Sequence, residues 1–254
     1  MTRYQTLRLE TKDTYAVLTF ARPEKRNALS EQMWTELPAA LAEAAGDPAI
    51  RAVVVTGEGP VFQAGADIGE IGGLPPLAAD AWIGGLMEST LFMERLPVPT
   101  IAAIEGGALG GGMETALACT LRIMAQGAVL SLPEVKLGVI PGAGGLERVT
   151  ALAGPAVAAD LALTGRRVNA DEALSLGLVN RIAPDGRALD EAEQLASRIG
   201  DMPRTAVALI MESLNAAKTA LEPAMRLTAK NCALCFGTTE ASERMQAFLQ
   251  GRRH

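Results

Sequence analysis

Two glutamates, Glu114 and Glu134, stand twenty positions apart in a chain whose only histidine is His254, the last residue. Nucleophilic machinery of the Ser-His-Asp or Cys-His kind needs an oriented imidazole, and a terminal residue is a poor source of one. Proton transfer therefore falls to carboxylates, or else to Lys, Tyr or a thiol. Glu114 closes the run Gly106-Gly107-Ala108-Leu109-Gly110-Gly111-Gly112-Met113-Glu114. Glu134 lies in Leu132-Pro133-Glu134-Val135-Lys136-Leu137-Gly138, among apolar neighbours that would desolvate it and raise its pKa, as a proton donor at neutral pH requires. Each has a plainer reading. An acidic residue in the first turn of a helix is favourable through the helix dipole alone, and a carboxylate after a proline can simply face water.

A second kind of chemistry lies in the main chain. The segments Phe62-Gln63-Ala64-Gly65-Ala66-Asp67-Ile68 and 106–114 each follow an apolar, β-branched run, and both are rich in small residues. In open α/β sheets ligands bind beyond the carboxyl ends of strands. Small residues there leave backbone N–H groups unobstructed, and glycines opening a helix add its positive end. One N–H from each loop could stabilise negative charge growing on a carbonyl oxygen. Tight packing turns are the alternative. Neither G-x-G-x-x-G nor a Walker P-loop is present.

The elements that must position these groups follow from periodicity. Thr6–Thr11 and Tyr15–Ala21 read as strands around a Lys12-Asp13 turn. Ser30 caps a helix running to about Ala45. Ile50–Thr56 and Pro99–Glu105 read as buried strands, residues 61–73 as a glycine-rich loop, and 77–96 as a helix. A further helix begins near Gly111 and runs through Thr120. Short strands are expected at Leu121–Ala125 and near Val129–Leu132, followed by a glycine-rich turn at Pro141–Gly145. Helices at 155–163 and 170–176 and a strand at Leu178–Ala183 come next. From about Arg187 to Gln250 the pattern is helix after helix, with breaks at Pro203 and Pro223. Strands alternating with helices, then helices alone, make an α/β protein. We expect a core domain over residues 1–190 and a helical segment over 191–254.

Composition excludes several classes. The 254 residues carry a net charge of −6 and only five lysines, which disfavours nucleic acid and anionic membranes as partners. No apolar run is long enough to cross a bilayer, and the N-terminal residues show no secretory signal, so a cytoplasmic protein is the expectation. Cys232 and Cys235 form a C-x-x-C, but with no further Cys or His nearby they read as core cysteines one helical turn apart, and Cys119 adds a third. No metal and no disulfide are expected.

Several spaced stretches resemble the crotonase (enoyl-CoA hydratase/isomerase) family. They are ARPEKRNAL at 21–29, FQAGADI at 62–68, GGALGGGMETALAC at 106–119, SLPEVKLGVIPGAGGLERV at 131–149, LTGRRVNADEALSLGLVNRI at 163–182 and ERMQAFLQGR at 243–252. The likeness covers nearly the whole chain, residues 70–95 excepted. It implies a spiral of ββα units with a C-terminal helical segment that builds trimers and dimers of trimers. It carries the family's oxyanion donors onto the N–H groups of Ala66 and Gly111, and its acid/base pair onto Glu114 and Glu134, with the Gly142 amide helping to hold a water. Hydratases of the family keep both glutamates, so the resemblance points to reversible syn hydration of 2-enoyl-CoA thioesters. No separate cofactor is implied, because coenzyme A is part of the substrate.

By the same resemblance, Lys25–Ala28, Ala64, Asp67 and Ile68 line the coenzyme A path. Arg22, Lys25 and Arg26 cluster where phosphates could be met, and Arg252 and Arg253 are further cations. Arg244 and Leu146-Glu147 depart from the family's usual residues. Rival readings are a Δ3-Δ2-enoyl-CoA isomerase relying on Glu134, another acyl-CoA reaction of the fold with its acyl pocket shaped by Trp82, Met87, Phe92 and Met93, and an RNA-binding relative. Apolar positions Leu227, Leu234, Phe236, Met245 and Phe248 exceed what a short terminal helix can bury alone, so an oligomer is expected, which the resemblance makes a homotrimer or homohexamer.

Overall fold

The computed structural model describes residues 4–218 and 221–251. Its strands, in chain order, are β1 (Leu7–Thr11), β2 (Tyr15–Phe20), β3 (Ala52–Gly57), β4 (Thr100–Ile104), β5 (Gly107–Leu109), β6 (Leu121–Ala125), β7 (Val129–Ser131), β8 (Arg167–Asn169) and β9 (Arg181–Ala183). Six of them form one sheet in the order β1-β2-β3-β4-β6-β9, and the other three form a second in the order β5-β7-β8. Only the β1–β2 hairpin is antiparallel in the larger sheet. Its central strands, AVVVTG and TIAAI, are buried almost throughout. That is why they read as unbroken apolar runs rather than as alternating ones.

The two sheets are built together. β4 continues directly into β5 and β6 into β7, so each step adds a strand to both sheets before a helix closes the unit. After β3 the chain makes the same move with a single residue, Gln63, bridged in parallel to Ala108 of β5. Repetition of strand, strand, helix produces the ββα spiral expected from the sequence.

The helices are α1 (Glu31–Gly46), α2 (Ile68–Ile71), α3 (Pro76–Glu94), α4 (Gly111–Ala118), α5 (Gly145–Ala153), α6 (Pro155–Thr164), α7 (Ala170–Ser175), α8 (Ala188–Gly200), α9 (Arg204–Lys218), α10 (Glu222–Cys235) and α11 (Thr239–Leu249). Ser30 caps α1 as predicted, its Oγ accepting from the Met33 N–H at 3.2 Å. α8 packs on β3, β4 and β6, so it belongs to the layer that covers the sheet. α3 buries Trp82, Met87 and Met93 among α1, α4 and α10, and Trp82 meets Trp34 edge to face at 6.3 Å between ring centres. These side chains are core.

Pro223 sits in the first turn of α10, a helix separate from α9, where its missing N–H costs no hydrogen bond. Two elements differ from expectation. α5 begins inside the glycine-rich turn, because the chain needs a helix N-terminus there for reasons given below. β8 is a three-residue strand held by pairing with β7, too short to carry a period of its own.

Candidate active site

The loops after β3 and β4–β5 meet at one point. Leu29 and Ala66 form a parallel bridge in which the Leu29 N–H donates to the Gly65 carbonyl and the Asp67 N–H to the Leu29 carbonyl, each at 2.8 Å. The Ala66 N–H between those two bonds has no acceptor among the described residues. A β-carbon placed on Gly111 would lie 3.7 Å from the Ala66 nitrogen, and 2.8 Å from Leu29 Cδ1. The Gly111 N–H opens α4 and, like other first-turn amides, has no intrahelical partner. Two unspent donors thus stand side by side at a helix N-terminus. Gly65 is required twice over here: its φ is +95°, and a side chain would run into the Leu109 carbonyl at 2.8 Å.

Glu114 lies one turn into α4 and is 2% exposed. Its Oε1 accepts hydrogen bonds from the N–H groups of Ala143 and Gly145, both at 2.8 Å. Gly145 is the first residue of α5, so the carboxylate caps that helix and profits from its dipole. This explains why a helix starts where the sequence shows only glycines. The capping loop is held from behind by Arg148, 4% exposed, whose Nη1 donates to the Ala143 carbonyl and whose Nη2 donates to Thr90 Oγ1 at 3.2 Å. Nε and Nη2 of the same guanidinium grip both oxygens of Glu94 at 3.1 and 3.2 Å. The Gly142 N–H, proposed as a water donor, has no acceptor among the described residues, and Gly142 itself is wedged between Ile83 and Cys232.

Glu134 comes from a 3-10 turn, Glu134–Leu137, that ends at Gly138. The residue is half-buried, yet its Oε2 is shut off from solvent and has no hydrogen-bond partner. Its Oε1 lies 3.0 Å from where a Gly110 β-carbon would stand. The carboxyl therefore presses against the residue immediately before the Gly111 donor. At Gly110, with φ +53°, any side chain would both strain the backbone and strike the glutamate.

Burial pushes the Glu114 pKa up; its two amide donors and Arg148 pull it down, and the charge of Glu147 adds to the rise. Burial pushes Glu134 well above the usual carboxylate range, and the charge of Glu114 pushes it further. Two carboxyls so placed titrate as a pair. Glu114, whose carboxylate two amides hydrogen-bond, is the one to ionise first, leaving Glu134 as the proton holder. A bell-shaped dependence of kcat/KM on pH is expected, rising as Glu114 ionises and falling as Glu134 loses its proton, the latter well above the ordinary carboxylate range. A flat profile from pH 5 to 9 would contradict it. The sign for stability is also set. Both folded-state pKa values are raised, so the native state holds protons that the unfolded chain releases, and this contribution is lost as pH rises.

The proposed coenzyme A residues also come together. The Ala64 N–H donates to the Arg26 carbonyl at 3.1 Å, which ties the 25–28 turn to the oxyanion loop, and Ile68 opens α2 beside them. Arg22, however, is committed within the protein: its Nη2 pairs with Asp67 at 2.9 Å and its Nη1 donates to the Ala28 carbonyl at 2.7 Å. Arg22 and Asp67 therefore build the turn, while Lys25 and Arg26 stay exposed. Asn27 completes the turn with φ +56°; its side chain accepts from the Arg22 N–H and donates to the Glu58 and Val61 carbonyls. Arg252, Arg253 and His254 lie outside the described residues. Cys232 and Cys235 are free thiols. Among the described residues no group of three or more Cys, His, Asp or Glu is placed to hold a metal. Ala143, Gly145 and Arg148 were not picked out from the sequence, and Glu147 only as a departure from the family's usual residue, because their roles depend on where α5 begins.

A ββα spiral with paired main-chain donors beside two enclosed carboxyls defines a class of acid–base enzyme that stabilises negative charge on a carbonyl oxygen while moving protons next to it. Within that class the chain belongs to the enoyl-CoA hydratase/isomerase family, whose model matches residues 10–254. It is 38% identical over 250 residues to a "Probable enoyl-CoA hydratase" of Mycobacterium bovis, covering 98% of this chain and 96% of that one. It is 37% identical to the crotonyl-CoA hydratase of Syntrophomonas wolfei, covering 98% and 97%. The crystal structure of an enoyl-CoA hydratase from Mycobacterium avium subsp. paratuberculosis superposes with a TM-score of 0.88 at 29% identity, covering 98% and 97%.

Proposed function

We propose that the protein is an enoyl-CoA hydratase, which adds water reversibly and with syn geometry across the double bond of a 2-enoyl-CoA thioester to give the 3-hydroxyacyl-CoA. The observation that carries the reading is the unequal pair of carboxyls beside the two unspent amides. The thioester carbonyl lies against the Ala66 and Gly111 N–H groups, which stabilise the enolate-like charge that develops as C3 is attacked. Glu114, ionised, draws a proton from a water directed at C3 and held with the help of the Gly142 N–H. Glu134, protonated, delivers its proton to C2. One O–H bond of water and the C2–C3 π bond break, and a C3–O and a C2–H bond form. Glu114 keeps the proton taken from water, and exchange with solvent resets the pair.

Coenzyme A runs past Lys25, Arg26, Ala28, Ala64 and Ile68, with Lys25 and Arg26 as its phosphate partners. It arrives with the substrate, and no separate cofactor is needed. Loss of the conjugated thioester absorbance, followed across enoyl-CoA thioesters of increasing length, tests this reading. Turnover of crotonyl-CoA is expected, and failure to hydrate any member of the panel would defeat it.

The proposal extends to a homotrimer or a dimer of trimers. Leu209, Ile210, Leu214, Leu227, Leu234 and Phe248 on α9–α11 are exposed in the single chain, apolar side chains that a subunit contact would cover. Sedimentation is expected to give three or six subunits; a monomer alone would contradict this part. A cytoplasmic location belongs to the same reading and suits the free thiols of Cys232 and Cys235. Among the described residues no helix is long and apolar enough to cross a membrane.

A further inference from the structure

Glu147 is a buried carboxyl to which the hydration scheme gives no task. It lies in the first turn of α5 and is 8% exposed. Its Oε1 accepts a short hydrogen bond from the Thr228 hydroxyl of α10, and its Oε2 is shielded from solvent with no hydrogen-bond partner. Two positions earlier, the Gly145 N–H is bound by Glu114. Two carboxyls therefore share the N-terminus of one nine-residue helix, and a helix end offers only roughly half a positive charge.

The charged and titratable groups around this point come from every element packed there. Arg148 of α5 is the nearby cation, but its Nε and Nη2 are already spent on Glu94 of α3 and its Nη1 on the Ala143 carbonyl. Glu134 stands on the 3-10 turn. From α10 comes the Cys232 thiol, itself pushed up by burial and by Glu114, and it donates to the Ile140 carbonyl at 2.9 Å. Glu94 and Glu114 thus both lean on one guanidinium.

We propose that Glu147 is a positioning residue that acts through Glu114, setting the pH range over which that glutamate serves as the base. Thr228 holds the Glu147 carboxyl at the helix end, so α10 takes part in the setting. Repulsion from Glu147 keeps Glu114 more basic than its amide donors and the α5 dipole would leave it. The inference rests on the assignment of Glu114 as the base.

The test uses full-length wild type and Glu147→Gln, which keeps the shape and leaves an acceptor for Thr228. Hydration of crotonyl-CoA is followed from pH 5 to 9. With each profile scaled to its own optimum, kcat/KM on the acid side is expected to rise about threefold or more in the variant, because Glu114 stays ionised at lower pH. KM at the optimum is expected to stay within about twofold. A purely structural role for Glu147 would lower the rate and the melting temperature without moving the acid limb, and an unmoved limb overturns the proposal. If Glu147→Gln does not fold, Glu147→Asp is read instead: a smaller shift in the same direction supports the proposal, and an unmoved limb overturns it. Wild type that hydrates no enoyl-CoA defeats the functional reading. Wild type that hydrates, with a limb Glu147 does not move, defeats this inference alone.

Discussion

Glu114→Gln and Glu134→Gln are each expected to lower kcat for crotonyl-CoA hydration by about 10²–10⁴-fold, the usual contribution of one positioned acid or base. KM should change far less, because neither side chain holds coenzyme A. The two variants isolate chemistry from folding. A glutamine at position 114 still offers an oxygen to the Ala143 and Gly145 N–H groups that Glu114 now caps at 2.8 Å, so α5 keeps its start. A glutamine at position 134 replaces a carboxyl whose Oε2 already has no partner, so no buried bond is broken. What each loses is the ability to take or give a proton. Removing both should cost little more than removing one, since groups that act as a unit are not additive. A rate within threefold of wild type in either single variant would contradict the assignment.

The second large effect lies behind the site. Arg148 ties α3 to the catalytic loop, through Glu94, Thr90 and the Ala143 carbonyl. Removing one partner of a buried ion pair typically costs about 3–5 kcal/mol, because the other partner keeps its desolvation penalty. Arg148→Met is therefore expected to lower Tm by roughly 6–20 °C in a chain of this size. Activity should fall as well, since the carbonyl that Arg148 holds belongs to the loop whose Ala143 and Gly145 N–H groups bind Glu114. Arg148→Lys should recover only part of either quantity, because an ammonium cannot grip both oxygens of Glu94 and a carbonyl at once. Calorimetry beside steady-state rates checks both, and a Tm within about 2 °C of wild type for Arg148→Met would contradict the role.

The parts of the molecule legible beforehand are those whose physics is local. β3 and β4 announce themselves as apolar β-branched runs, since burial on both faces asks for little else. Ser30 announces α1 because an N-cap is a one-residue chemical event. The glycines at 65, 110 and 111 mark places where a side chain would strike a carbonyl, a glutamate or a leucine, and that marking is what made the oxyanion loops readable.

The parts that stayed hidden depend on distant partners. α5 opens on glycine with no side-chain cap of its own, because its cap is Glu114, more than thirty positions earlier in the chain. Arg22 reads as a free cation until the fold brings Asp67 to it across 45 positions. Glu134 looks like a surface carboxylate because the residue as a whole is half-exposed; only its inner oxygen enters the site. Glu147 and Arg148 carry no local sign of function, since Thr228 and Glu94 reach them from helices far along the chain.

The most direct measurement is a crystal structure with a stable 3-oxoacyl-CoA bound, a ligand shaped like the product but unable to turn over. The thioester oxygen is predicted to lie 2.7–3.1 Å from both the Ala66 and Gly111 nitrogens, the range that stabilising donors keep. C2 should face Glu134, and the C3 oxygen should lie within hydrogen-bond reach of Glu114. A thioester oxygen bound away from those two amides, or glutamates turned from C2 and C3, would contradict the account.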